Sequence, residues 1–232
     1  MGEVIVSMKN IVKNFPGVKA LDNVNFELRS GEVMALLGEN GAGKSTLMKI
    51  LSGVYTKDGG TMEIFGKGYD SLTPKQAQAA GVAIIHQELN MCRHLSVTEN
   101  MFLRREKSNG LVLKNSEMEA EAAEILGQLK IDIDPRQTVG DLPVSKQQMV
   151  EIAKALSIHA KILIMDEPTS SLTAKEIDEL FRIIRKLKAD GCGIVYISHR
   201  LEELQAIVDR VTIMRDGQYI TAGEFHSMTM DQ

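Results

Sequence analysis

Residues 38 to 46 read GENGAGKST, which sets Gly38, Gly43, Lys44 and Ser45 at the spacing G-x-x-x-x-G-K-[ST]. Glycines let a backbone wrap an anion so that successive N–H groups point inward. A helix starting where the loop ends adds the positive end of its dipole. On this reading Gly38, Glu39, Asn40, Gly41, Ala42, Gly43, Lys44, Ser45 and Thr46 cradle the phosphates of a nucleoside triphosphate. Lys44 bridges the β- and γ-phosphates, and the Ser45 hydroxyl ligates Mg2+. A second run, ILIMDEP from Ile162 to Pro168, supplies the carboxylates such a loop needs. Asp166 would hold the metal through its water, and Glu167 would polarise the attacking water as general base. The bland alternatives are a glycine-rich turn with an incidental lysine and an Asp-Glu pair at a helix cap. Both lose weight when the two runs share one chain. A dinucleotide loop fails because the glycine order is wrong and that fold requires no Lys-Ser pair.

These residues need strands and helices to hold them. Short β-rich runs recur at Val4–Met8, Val24–Leu28, Val33–Leu37, Met62–Phe65, Val82–Ile85, Ile162–Met165, Ile194–Ile197, Val211–Met214 and Tyr219–Ala222. Continuous apolar runs such as ILIM and GIVYI point to parallel strands buried on both faces. A helix is expected over Ser45–Ser52. Glu117–Leu129 should be another, with Ser116 and Glu119 as a capping box, and Ala174–Ala189 a third, with Thr173 and Glu176. Turn signals at Ser30 and Asp58 suggest an antiparallel β piece near the N-terminus. From Glu88 to about Ala160 the pattern is helical. The expected fold class is α/β, a P-loop NTPase core with a mainly parallel sheet, an N-terminal antiparallel β subdomain and an inserted α-helical subdomain. Residues 1–87 and 161–232 would form the core and 88–160 the insert, within a single nucleotide-binding domain spanning 1–232. The final FHSMTMDQ stops where a helix could begin, with Thr229 as a cap, so the chain reads as a fragment of a longer one.

Composition narrows the partners. The chain has 232 residues, 44% apolar, and a net charge of −4, enough for a sizeable core and unfavourable for nucleic acid or an anionic membrane surface. No apolar run nears the roughly 20 residues of a membrane helix. Cys92 and Cys192 lie far apart with no CxxC, which fits free thiols in a reducing compartment. The 13 methionines are scattered and read as core filling.

With these residues in view, the chain resembles an ATP-binding-cassette ATPase. GENGAGKST, the Gln87 of IIHQE, ILIMDEPTSSLT and ISHR with His199 fall in that family's order over nearly the whole chain. QELN…LSVTENMFL, QQMVEIAKALS and DEPTSSLT are similar to the fused two-cassette ATPases of bacterial importers for ribose, galactose, xylose and related sugars. The resemblance implies that Phe15 stacks on adenine, that Gln87 senses the γ-phosphate and metal and faces the membrane subunit, and that His199 touches the γ-phosphate as a switch. It implies ATP with Mg2+, hydrolysis that powers sugar import, and a site at the cytoplasmic face of the inner membrane. The implied partners are a second cassette, permease subunits and, indirectly, a periplasmic sugar-binding protein, with no nucleic acid. An alternative is a regulatory nucleotide-binding module with little hydrolysis, or a cassette outside transport.

The sequence departs from the family at LPVSK, Leu142 to Lys146, where the resemblance expects an LSGGQ-like loop serving the nucleotide of the opposite cassette. Pro143 lacks both hydroxyl and N–H, and Val144 replaces a glycine. Ser145 and Lys146 could compensate in part. Thr173 stands where many relatives carry an Asp that contacts the opposite site. The expectation is a chain that binds ATP but turns over slowly alone.

Overall fold

The computed structural model describes residues 2–85, 91–110 and 112–227. Two long strands open the chain, β1 (Val4–Phe15) and β2 (Val18–Arg29), joined at Pro16-Gly17. Proline pre-sets φ and Gly17 supplies a φ of 80°, so the hairpin closes in two residues. Next come β3 (Val33–Leu37), α1 (Lys44–Leu51), β4 (Gly59–Ile64), β5 (Lys67–Gly68), α2 (Pro74–Ala79) and β6 (Val82–Ile85). The middle holds α3 (Val97–Phe102), a minor hairpin of β7 (Ser108–Asn109) and β8 (Val112–Leu113), α4 (Asn115–Gln128) and α5 (Val144–Ser157). The chain then returns through β9 (Ile162–Asp166), α6 (Ala174–Ala189), β10 (Gly193–Ile197), α7 (Leu201–Ile207), β11 (Arg210–Arg215) and β12 (Gln218–Glu224).

Ten strands form one sheet in the order β5-β4-β1-β2-β12-β11-β3-β10-β9-β6. The segment β11-β3-β10-β9-β6 is parallel throughout, and β1, β2, β4 and β5 pair antiparallel. Successive residues of a strand point to opposite faces. Val33 and Ala35 accordingly join the apolar cluster of α3 to α7, whereas Met34 and Leu36 join the one formed with α1, α2 and the antiparallel strands. Burial on both faces explains the unbroken apolar runs. The core of α3, α4 and α5 is continuous with that face of the sheet, through Val150, Ile152, Leu163 and Met165.

Of the two expected capping boxes, one is absent and one is present. The expected capping box at Ser116 is absent: α4 begins at Asn115 after Lys114, with no side-chain cap bond. Glu119 instead accepts from Arg136 Nε at 2.9 Å, a charged partner that outcompetes a backbone N–H. At α6 the device is present, since Glu176 accepts from the Thr173 amide and hydroxyl, both at 2.8 Å. Among the described residues, no helix is long and apolar enough to cross a membrane. The C-terminal stretch with Thr229 lies outside them, as do His86 and Gln87.

Candidate functional site

Three adjacent strands end at one edge of the sheet, and the candidate residues sit on the turns that follow them. β3 leads into the loop 38–43, β9 ends on Asp166 with Glu167 next, and β10 ends at Ile197 before Ser198 and His199. The carboxyl ends of parallel strands are where an open α/β sheet leaves a ligand crevice.

The loop holds a shape that side chains would spoil. Gly38 has φ 151°, and a Cβ there would meet the Met214 carbonyl oxygen at 2.3 Å. Gly43 has φ 96°, and a Cβ would meet Leu21 Cδ2 at 2.7 Å and the Ala20 carbonyl at 2.8 Å. Glu39, Asn40 and Gly41 form an exposed rim, Ala42 is buried beneath it, and Gly43 ends the loop as the N-cap of α1. Lys44 and Thr46 are half-buried and Ser45 is exposed in the first turn. The helix begins one residue before its expected start. Lys44 Nζ donates to the carbonyls of Gly38 at 2.6 Å and Glu39 at 2.9 Å. Burial pushes the Lys44 ammonium below its ordinary pKa, against the pull of the Asp166 and Glu167 carboxylates. A partly desolvated cation facing an open rim gains by meeting an anion.

Glu167 occupies left-handed backbone, φ 46°, held by its N–H donating to the Ile197 carbonyl at 2.9 Å. A non-glycine residue there is strained, and strain of this kind collects at functional turns. The strain aims the carboxylate at the next loop, where Oε1 lies 3.0 Å from His199 Nδ1. His199 is 74% exposed and Glu167 28%, so the pair opens to solvent. Lys44, Asp166, Glu167 and His199 therefore converge.

Phe15 is half-buried at the tip of the β1–β2 hairpin, edge-on to Tyr55 at 5.3 Å with Lys13 Nζ 5.4 Å from its ring. Among the described residues no ring contact or hydrogen bond joins it to the loop 38–43. The link is indirect, because Gly43 abuts Ala20 and Leu21 of the same hairpin.

Mg2+ fits the donor set. Ser45 and Asp166 are hard oxygen donors, and Mg2+ commonly takes one or two protein oxygens with the rest from phosphate and water. Among the described residues no three His, Cys, Asp or Glu side chains form a metal cluster.

The start of α5 differs from its expected loop. The helix begins at Val144 directly after Pro143, without a side-chain cap bond. Val144 is 47% exposed, Ser145 is buried, and Lys146 Nζ donates to the Asp132 carbonyl at 2.7 Å. Proline at the N-cap and the loss of glycine let the helix run to its first residue. Ser145 is turned into the protein, while Lys146 stays at the surface with its ammonium bonded to that carbonyl.

One residue escaped the sequence reading. Glu203 on α7 is 5% exposed, and its carboxylate gathers donors from both loops. Helical spacing was the available signal, since Glu203, Leu204 and Ile207 share the inward face of α7.

The ABC transporter family model matches residues 21–170. A putative ribose/galactose/methyl galactoside import ATP-binding protein of Agrobacterium fabrum is 58% identical over 98% of this chain and 45% of its own length. The galactose/methyl galactoside import ATP-binding protein MglA of Escherichia coli K12 is 53% identical over 100% of this chain and 46% of its own. The chain thus spans about half the length of the curated relatives it matches. A nucleotide-free ATP-binding cassette from an ABC transporter superposes with a TM-score of 0.86 at 28% identity, covering 96% of this chain and 92% of that one. A cassette in its ADP conformation gives 0.84 at 29%, covering 96% and 91%.

Proposed function

The chain belongs to the ABC transporter family, and from that membership we propose that it binds and hydrolyses ATP to drive sugar uptake by a bacterial importer. The observation that carries the ATPase reading is the meeting of Lys44, Asp166, Glu167 and His199 at three neighbouring strand ends, with Glu167 and His199 in contact. The names of these two relatives, both sugar import ATP-binding proteins, support the sugar.

The amides of Gly38–Thr46 and the first turn of α1 hold the β- and γ-phosphates, and the Lys44 ammonium exchanges its loop carbonyls for phosphate oxygens. Ser45 and Asp166, with Gln87 as a third ligand, would hold Mg2+, which when bound neutralises phosphate charge. Glu167 takes a proton from water as its oxygen bonds to the γ-phosphorus. The bond to the β,γ-bridging oxygen breaks, and ADP leaves with the electron pair. His199 holds the carboxylate in line, and Phe15 offers its ring to adenine.

Residues 88–160 act as the helical subdomain that passes closure to permease subunits. The remaining half-length of the relatives leaves room for a second cassette, whose signature loop would complete this site. The assembly would work at the cytoplasmic face of the inner membrane, supplied by a periplasmic sugar-binding protein. The test is ATP turnover by this chain with and without the second cassette. Slow turnover alone, raised several-fold on addition, is expected; brisk cooperative turnover by the chain alone would contradict the two-cassette reading.

A further inference from the structure

Behind the site lies a polar group that no step above uses. Glu203 is buried, yet four side chains converge on its carboxylate. Thr169 Oγ donates to both oxygens, at 2.7 and 2.8 Å. Tyr196 OH and Ser198 Oγ each donate to Oε2 at 2.9 Å. Arg200 Nη1 lies 3.2 Å from Oε1, which offsets the charge. Such a network fixes its members when every polar group in it is satisfied.

The placement of the donors gives the network a function. Thr169 is two residues beyond Glu167, and Ser198 is the residue before His199. One carboxylate therefore grips both loops whose tips meet at 3.0 Å. The Ser198 hydroxyl is itself oriented by the Arg200 amide at 3.1 Å. Glu167 is held in strained backbone, and strained residues persist only where their surroundings over-determine them.

We propose that Glu203 is a positioning residue for ATP hydrolysis, clamping the Glu167 loop to the His199 loop so that base and switch keep their register. The inference rests on the ATPase reading. Nucleotide is held by the loop 38–46, which the network does not touch. The clamp should accordingly govern kcat and leave ATP affinity alone.

The test measures kcat, KM for ATP, ATP affinity and Tm in the assembled protein. Thr169→Val keeps shape and removes one bond; Ser198→Ala removes another. Each should lower kcat about 10-fold with KM and affinity unchanged, since small misplacements of a catalytic group cost up to about 100-fold. Thr169→Ser, which restores the hydroxyl, should recover kcat. Glu203→Gln, which turns an N–H toward hydroxyl donors, should approach the upper figure. Ile64→Ala in β4 serves as a control for stability alone, expected to lower Tm with kcat unchanged. Normal kcat in Thr169→Val and Ser198→Ala, or a fall that merely follows Tm, would overturn the clamp. A wild-type assembly without turnover would instead remove the ATPase reading beneath it.

Discussion

Lys44 joins the two halves of the site. Its ammonium is bonded to loop carbonyls, partly desolvated, and within the field of Asp166 and Glu167. Lys44→Ala should weaken ATP binding by about 10- to 100-fold, because a hydrogen bond to a charged group contributes about 1.5–3 kcal/mol. A fluorescent-nucleotide titration checks this, and unchanged affinity would detach the lysine from the phosphates. The thiols give a second test. Burial pushes the Cys192 thiol up to about 12, so at pH 8 it stays protonated and unreactive, whereas Cys92 is exposed. Native-state alkylation at pH 8 should label Cys92 rapidly and Cys192 only on unfolding. Equal rates would contradict the burial.

At the scale of elements, α5 carries the most instructive departure. It starts at Val144 behind Pro143, with Ser145 buried and Lys146 tied to Asp132. Pro143→Ser should leave the ATP affinity of this chain's own loop unchanged by titration, since on the proposed two-cassette reading that helix start serves the opposite site. The helix still fills the core: Ile152→Ala should cost about 2–5 kcal/mol in urea unfolding, as for other fully buried large-to-small changes. Much of this architecture was legible beforehand. The parallel strands announced themselves by unbroken apolar runs, and the loop 38–46 by glycine spacing. β1 and β2 extend well past the apolar runs Val4–Met8 and Val24–Leu28. Asn10 and Asn23, each at φ 52°, sit at breaks of register that interrupt the period-two pattern, so the regular runs end at Met8 and begin at Val24. The Ser116 cap failed because Lys114 and Arg136 draw the nearby carboxylates into ion pairs that local spacing cannot foresee. Glu203 stayed hidden for a related reason: its donors come from residues 169, 196 and 198, brought together only by the pairing of β9 with β10.

For the whole molecule, one sheet with apolar layers on both faces fixes three strand ends side by side, and the chemistry needs little more than that alignment. The long antiparallel strands extend the same sheet and bring the Phe15 hairpin up to Gly43. The chain spans about half the length of the curated relatives it matches. The most direct test is Glu167→Gln in the assembled protein, read by nucleotide affinity and by phosphate release. The account predicts ATP bound as tightly as in the wild type and phosphate release reduced by about 100-fold or more, the scale of a lost general base. Phosphate release at the wild-type rate would contradict it.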